Sequence, residues 1–168
     1  MTFLGIDPGL NITGYGVLRV EGNAARLLEA GTVRSRSRDP LPKRLSELGE
    51  GLDSVLEAFS PDVMGMEDIF SHYAHPSAAI AMAHARGVYC FLAARRGIPL
   101  VTISASMVKK LVTGNGRASK EQVSGMVRHL LGLGEIPGPA DVGDSLAVAL
   151  ATIEMERGSM CSSGSKAK

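Results

Sequence analysis

The sequence predicts an α/β domain, one five-stranded mixed sheet with helices on both faces. Three observations carry this expectation. Short apolar runs occur at 2–7, 12–20, 25–33, 63–66 and 100–103, bounded by Gly, Pro, Asn or Asp. Longer stretches with apolar residues at helical spacing lie between and after them. Their order, βββαβαβααα, reads as an antiparallel meander extended by parallel crossovers.

Residues 2–7 and 12–20 read as two strands joined by Asp7-Pro8-Gly9-Leu10-Asn11, a run of turn formers. A third strand follows over about 25–33. Pro40 and Pro42 break the chain, and Leu41, Leu45, Leu48, Leu52, Val55 and Leu56 then recur as one helical face over 41–59. Ser60-Pro61-Asp62 stops that helix. Val63-Met64-Gly65-Met66 is a short strand ending in Glu67-Asp68. An Ala-rich helix spans about 77–96 behind Pro76, Gly97-Ile98-Pro99 ends it, and 100–103 is the fifth strand. Of three closing helices, one covers about 105–111. The next starts at Ser119, which has capping-box spacing to Gln122, and continues to about Leu131. The last runs from near Pro139 to about Arg157. Residues 1–157 are read as one domain and the polar stretch 158–168 as a disordered tail.

A chain of 168 residues is long enough for one domain with a real core and short for two. The net charge of +1 offers no strong global field, so local charge decides what the surface attracts. Two cysteines, Cys90 and Cys161, make neither a disulfide framework nor a zinc pattern, and they fit a reducing cytoplasm. No basic-then-apolar leader and no membrane-length apolar run is visible.

Four carboxylates stand at element ends. Asp7 closes the first strand and Glu67 closes a strand expected to run parallel to it, on the sheet edge where sites form. Asp141 and Asp144 are three apart in the first turn of the last helix, hence on one face. Singly, each has a plainer explanation. Asp7 suits a turn before Pro-Gly, Glu67 an exposed strand end, and the aspartates a helix N-terminus. Together they are a crowded acidic set, whose pKa values rise unless a cation binds. Hard oxygen ligands suit Mg²⁺ or Mn²⁺, and two such ions about 4 Å apart can flank a phosphodiester.

The segments Gly5-IDPGLNITGYG-Gly16, Met66-EDIF-Phe70, Ala85-RG-Gly87, Val108-K-Lys109, Gly114-NGRASKEQV-Val123 and Asp141-VGDSLAVAL-Leu150 together resemble the RuvC family of Holliday junction resolvases, in the family's order and spacing, to about residue 157. The resemblance implies a ribonuclease H-like fold. It also implies a cytoplasmic homodimer that nicks four-way junction DNA symmetrically, in recombination and repair, and works with a branch-migration motor of RuvA and RuvB type. Carried over by position, Asp7, Glu67, Asp141 and Asp144 are the implied metal ligands, with two Mg²⁺ ions per site and Mn²⁺ as a substitute. Lys109 and Lys120 are the implied basic residues of catalysis and DNA binding, and Phe70 the aromatic that stacks on a base near the branch point.

Local charge agrees. From Arg86 to Arg128 there are eight Lys or Arg and a single acid, Glu121. The loop Thr113-GNGR-Arg117 joins two glycines to a basic residue, so Arg117 is a further candidate for DNA contact. A solvated basic face is the alternative. The chain departs from the family at Val142-Gly143, where small alanines are usual, at Ala105 in place of proline, and at His84 in place of glutamine. His72, His75, His84 and His129 form no metal-ligand grouping; His72 and His75 follow Phe70 and are expected near DNA.

The segment Pro76-SAAIAMAHARGVYCFLAA-Ala94 is apolar nearly all round, which predicts burial on two sides. One side would meet the sheet. The other would meet either a second subunit or another part of the same domain. Two symmetric cuts need two sites related by a two-fold axis, which an isologous dimer supplies. Three other functions compete. A sugar kinase or actin-like ATPase shares the first strand and its aspartate but needs two such domains. A junction-binding module without chemistry needs a missing acid. A nuclease of the same fold acting on RNA hybrids or simple duplex is separated only by the family resemblance.

Overall fold

The β-branched and alternating runs pair as the sequence predicts. A computed structural model describes residues 1–68 and 76–163. Its elements are β1 (Thr2–Asp7), β2 (Ile12–Glu21), β3 (Ala24–Arg34), α1 (Leu41–Phe59), β4 (Val63–Glu67), α2 (Pro76–Arg95), β5 (Leu100–Ile103), α3 (Ala105–Thr113), α4 (Lys120–Leu131) and α5 (Ala140–Ser163). The sheet order is β3-β2-β1-β4-β5. β1, β2 and β3 form the antiparallel meander, and β4 and β5 add in parallel to β1.

Strand alternation divides the core in two. Leu4 and Ile6 of β1 and Met64 and Met66 of β4 pack with α1 and α2. Phe3 of β1 and Val63 of β4 face the other way, into a cluster with α3, α4 and α5. Register sets Gly5 beside Gly65 and Ile6 beside Met66. Asp7 and Glu67 are the next residues, so the same alternation turns both carboxylates towards the α5 face.

Helix α5 lies unusually close to the sheet because the strands under it lack side chains. A methyl on Gly5 would run into Ser145 O and Ala149 N, one on Gly14 into Asp141 O, and one on Gly65 into Thr152 Oγ1. The buried hydroxyls of Ser145 and Thr152 donate within the helix, to Val142 O and Val148 O, both at 2.8 Å, so the contact leaves them satisfied. This seating brings the first turn of α5 over the ends of β1 and β4.

Two boundaries differ from expectation. α5 continues past Arg157 to Ser163, because nothing in Gly158-Ser159-Met160 supplies a stop that outweighs an established helix. α3 reaches Thr113, where Gly114 in the left-handed region caps it. Residues 164–168 of the expected tail lie outside the described residues, as do Phe70, His72 and His75. Among the described residues no helix is long and apolar enough to cross a membrane.

Candidate active site

A parallel pair of strands ends side by side, and a helix begins above them. From this, Asp7, Glu67 and Asp144 meet along one cleft of about 300 Å³, which Val108, Lys109 and Lys120 also line. Asp141 is not in the lining. It sits one turn earlier on α5, with its carbonyl against Gly14, and its charge still bears on Asp7.

The electrostatics follow from this crowding. Asp7 is pushed up to about 7, first by burial and then by the negative charges of Glu67, Asp144 and Asp141, against a smaller opposing pull from Lys120. Glu67 is also raised, by burial and then by Asp144, with Lys120, Lys109 and Arg86 opposing. Lys120 Nζ stands 3.0 Å from Asp144 Oδ2, and that bond, with the charge behind it, raises the lysine.

The donor set fits a divalent cation. All the candidate ligands are carboxylate oxygens, and two of the acids are raised towards neutrality by burial and neighbouring charge, which a cation would reverse. Among the described residues no three His, Cys, Asp or Glu side chains close into a metal cage. Hard carboxylate oxygens of this kind suit Mg²⁺ or Mn²⁺.

The basic run divides into parts with different partners. Lys109 and Lys120 line the cleft, the latter from the first turn of α4. There Ser119 Oγ accepts from Gln122 N at 3.3 Å while Gln122 Oε1 accepts from Ser119 N at 2.9 Å. Arg117 lies on the preceding turn, outside the cleft lining. Arg95 and Arg96 pair with Asp53 of α1, away from the cleft. Arg86 is turned inward, its side chain 13% exposed, and donates to the carbonyl oxygen of Glu67. Of the bases between Arg86 and Arg128, Lys109 and Lys120 therefore line the cleft, while Arg86 and Arg95 of α2 point to different sides. Arg86 is a site-neighbouring residue to which sequence reasoning assigns no separate role, although a charged residue inside an apolar helix is a usable signal.

Val142-Gly143 lies inside the regular start of α5. Val142 is fully buried in the core, and a Cβ on Gly143 would meet Ile136 Cδ1 at 3.4 Å, an ordinary contact. Gly143→Ala is expected to stabilise the protein by about 0.5–1 kcal/mol through helix propensity. Thermal unfolding checks it, and a lowered melting temperature would show that Ile136 has no room to give.

The family model described as "Crossover junction endodeoxyribonuclease RuvC" matches residues 3–152. Crossover junction endodeoxyribonuclease RuvC of Rhodopirellula baltica is 49% identical over 147 residues, covering 88% of this chain and 83% of its own. The RuvC of Desulforamulus reducens is 41% identical over 150 residues, covering 89% and 91%. Among solved structures, Thermus thermophilus RuvC in complex with a Holliday junction substrate superposes with a TM-score of 0.88 at 34% identity, over 94% of this chain and 95% of that one.

Proposed function

The chain belongs to the RuvC family of crossover junction endodeoxyribonucleases, and from that premise we propose that it resolves four-way DNA junctions by paired symmetric nicks, in recombination and repair. The observation that carries this reading is the gathering of Asp7, Glu67 and Asp144 on one cleft with Lys109 and Lys120 beside them. A cleft of carboxylates alone would repel a phosphodiester. The two ammonium groups, together with divalent cations once bound, would reverse that sign.

The nucleases of this family depend on divalent metal; here the ion is assigned as Mg²⁺, two per site, with Mn²⁺ able to substitute. When bound, such ions make a nucleophile from water at neutral pH and stabilise the departing 3′ oxygen. Asp7, Glu67, Asp141 and Asp144 would hold the ions, and Asp7, in the electrostatic middle of the set, is the ligand whose loss matters most. Lys109 and Lys120 orient the scissile phosphate and offset its developing negative charge. The products are a 5′ phosphate and a 3′ hydroxyl. Phe70 is assigned to stack on a base at the opened branch point, an interaction of about 1–3 kcal/mol indifferent to sequence. Arg117 adds a phosphate contact at the cleft's approach.

The working unit in this reading is a homodimer in the cytoplasm, served by a branch-migration motor of RuvA and RuvB type. Support for the dimer comes from the outer face of α2. Ile80 and Phe91 are 59% and 62% exposed, and with Ala83, His84, Gly87 and Val88 they line an apolar groove of about 560 Å³. A second copy of this face would cover it and supply the two-fold axis that paired cuts need.

The test is incubation with a synthetic four-way junction, with and without Mg²⁺, beside a linear duplex of the same arms. Paired nicks at symmetry-related positions, dependent on metal and confined to the junction, are expected; equal cutting of the duplex would assign the chain to a general nuclease. Lys120→Ala is expected to weaken junction binding and to lower the salt slope by about 1, as loss of one phosphate contact requires. An unchanged slope would restrict Lys120 to its bond with Asp144.

A further inference from the structure

Helix α2 turns a second, polar pair of side chains inward, beneath the acidic cleft. Arg86 and Tyr89 are three residues apart and share one face. Arg86 donates to the carbonyl oxygen of Glu67, the last residue of β4, and reaches Asp68 Oδ1 at 3.4 Å. Tyr89 is fully buried, and its hydroxyl lies 2.6 Å from Thr13 Oγ1. Thr13 donates its own proton to Gly9 O at 2.8 Å and accepts from Gly9 N at 3.1 Å. The tyrosine must therefore be the donor, and the threonine oxygen is saturated.

Each bond ties down a strand end that carries an acid. Gly9 is two residues past Asp7, and Thr13 precedes Gly14, the register partner of Asp7. Thr13 thus cinches the turn that follows Asp7, and Tyr89 fixes that cinch to α2. Arg86 does the same for the residue bearing the Glu67 carboxylate. Both strand ends are thus tied to the same helix.

We propose that Arg86 and Tyr89 are positioning residues, which hold Asp7 and Glu67 at the separation that divalent metal binding requires. The proposal rests on the metal-dependent nuclease reading above. Packing alone would not need these bonds: phenylalanine would fill the Tyr89 site, and an apolar side chain would suit the inner face of α2 better than a guanidinium.

The experiment measures Mn²⁺ binding by calorimetry, without DNA, in the wild-type protein, Tyr89→Phe and Arg86→Gln, with Asp7→Asn as the control for site occupancy. Thermal unfolding and junction affinity without metal are recorded for each, and single-turnover nicking at saturating junction follows. Mn²⁺ affinity is expected to weaken roughly ten- to a hundred-fold in both variants, as loss of a group supporting metal ligands commonly does. Nicking should fall with it, the metal concentration for half-maximal rate should rise, and junction affinity should stay within about twofold of wild type. Mn²⁺ affinity and nicking at wild-type levels would overturn the proposal. Tyr89→Phe removes one oxygen and nothing else, so it decides the question even if Arg86→Gln does not fold. A wild-type protein that binds Mn²⁺ at Asp7 but leaves junctions intact would sink the nuclease reading while the calorimetric comparison still judges Arg86 and Tyr89. A wild-type protein that binds no Mn²⁺ would sink both.

Discussion

Asp7→Asn is expected to abolish junction nicking while making the metal-free protein more stable. The two halves have one cause. Asp7 is raised from 3.8 to about 7, with burial the first contributor and three neighbouring acids next. Between those pH values the folded protein keeps a proton that the unfolded chain has released. Stability of the metal-free protein therefore falls as pH rises from about 4 towards 7, and the full cost is present above 7. A rise of that size corresponds to about 4 kcal/mol as a ceiling, and solvent reaching the cleft leaves about 1–3 kcal/mol. Asparagine carries no charge, so in EDTA at pH 8 its melting temperature should exceed wild type by several degrees. The gain should vanish near pH 4, where both side chains are neutral. Nicking should fall at least about 1,000-fold, the equivalent of about 4 kcal/mol of lost transition-state stabilisation. Junction binding should persist. A destabilised Asp7→Asn protein in EDTA would mean that Asp7 serves the fold rather than the chemistry.

Gly5→Ala should cost the protein stability, because the added methyl has no room beneath α5. Its Cβ would fall inside contact with Ser145 O and Ala149 N, which are backbone atoms of α5 and cannot rotate away. The helix must lift or slide, at a cost of about 1–3 kcal/mol or more. Asp144 immediately precedes Ser145, so the same movement shifts a carboxylate in the cleft. Chemical denaturation should show the stability loss, and nicking per folded molecule should fall as well. Gly143→Ala, in the same helix and expected to stabilise, is the matched contrast. Wild-type stability in Gly5→Ala would mean that α5 is not seated on β1 as described.

Most of the fold is legible in the sequence because its signals are local. Leu48, Leu52, Val55 and Leu56 repeat at helical spacing and all are buried on α1. Ser119 and Gln122 have capping-box spacing and form the box. The convergence of Asp7 with Glu67 is legible too, since adjacent parallel strands must end on the same edge. What stays hidden depends on directions of side chains around α2. A helix apolar on nearly every side gives no periodic cue to which face meets the sheet. Arg86 therefore groups with the phosphate-facing bases, and nothing marks Tyr89 as the partner of Thr13. The seat of α5 is hidden for a related reason. Gly5, Gly14 and Gly65 are separate in sequence, and only the register of three strands aligns them beneath one helix.

The central claim is that acids from β1, β4 and α5 share bound cations in one cleft. Anomalous diffraction from crystals grown with Mn²⁺ and a four-way junction tests it most directly. Two Mn²⁺ peaks are predicted, coordinated by oxygens drawn from Asp7, Glu67, Asp141 and Asp144, with the junction phosphate between them and Lys120 released from Asp144. Manganese bound elsewhere on the chain, with those carboxylates still paired to Lys120 or to water alone, would contradict it.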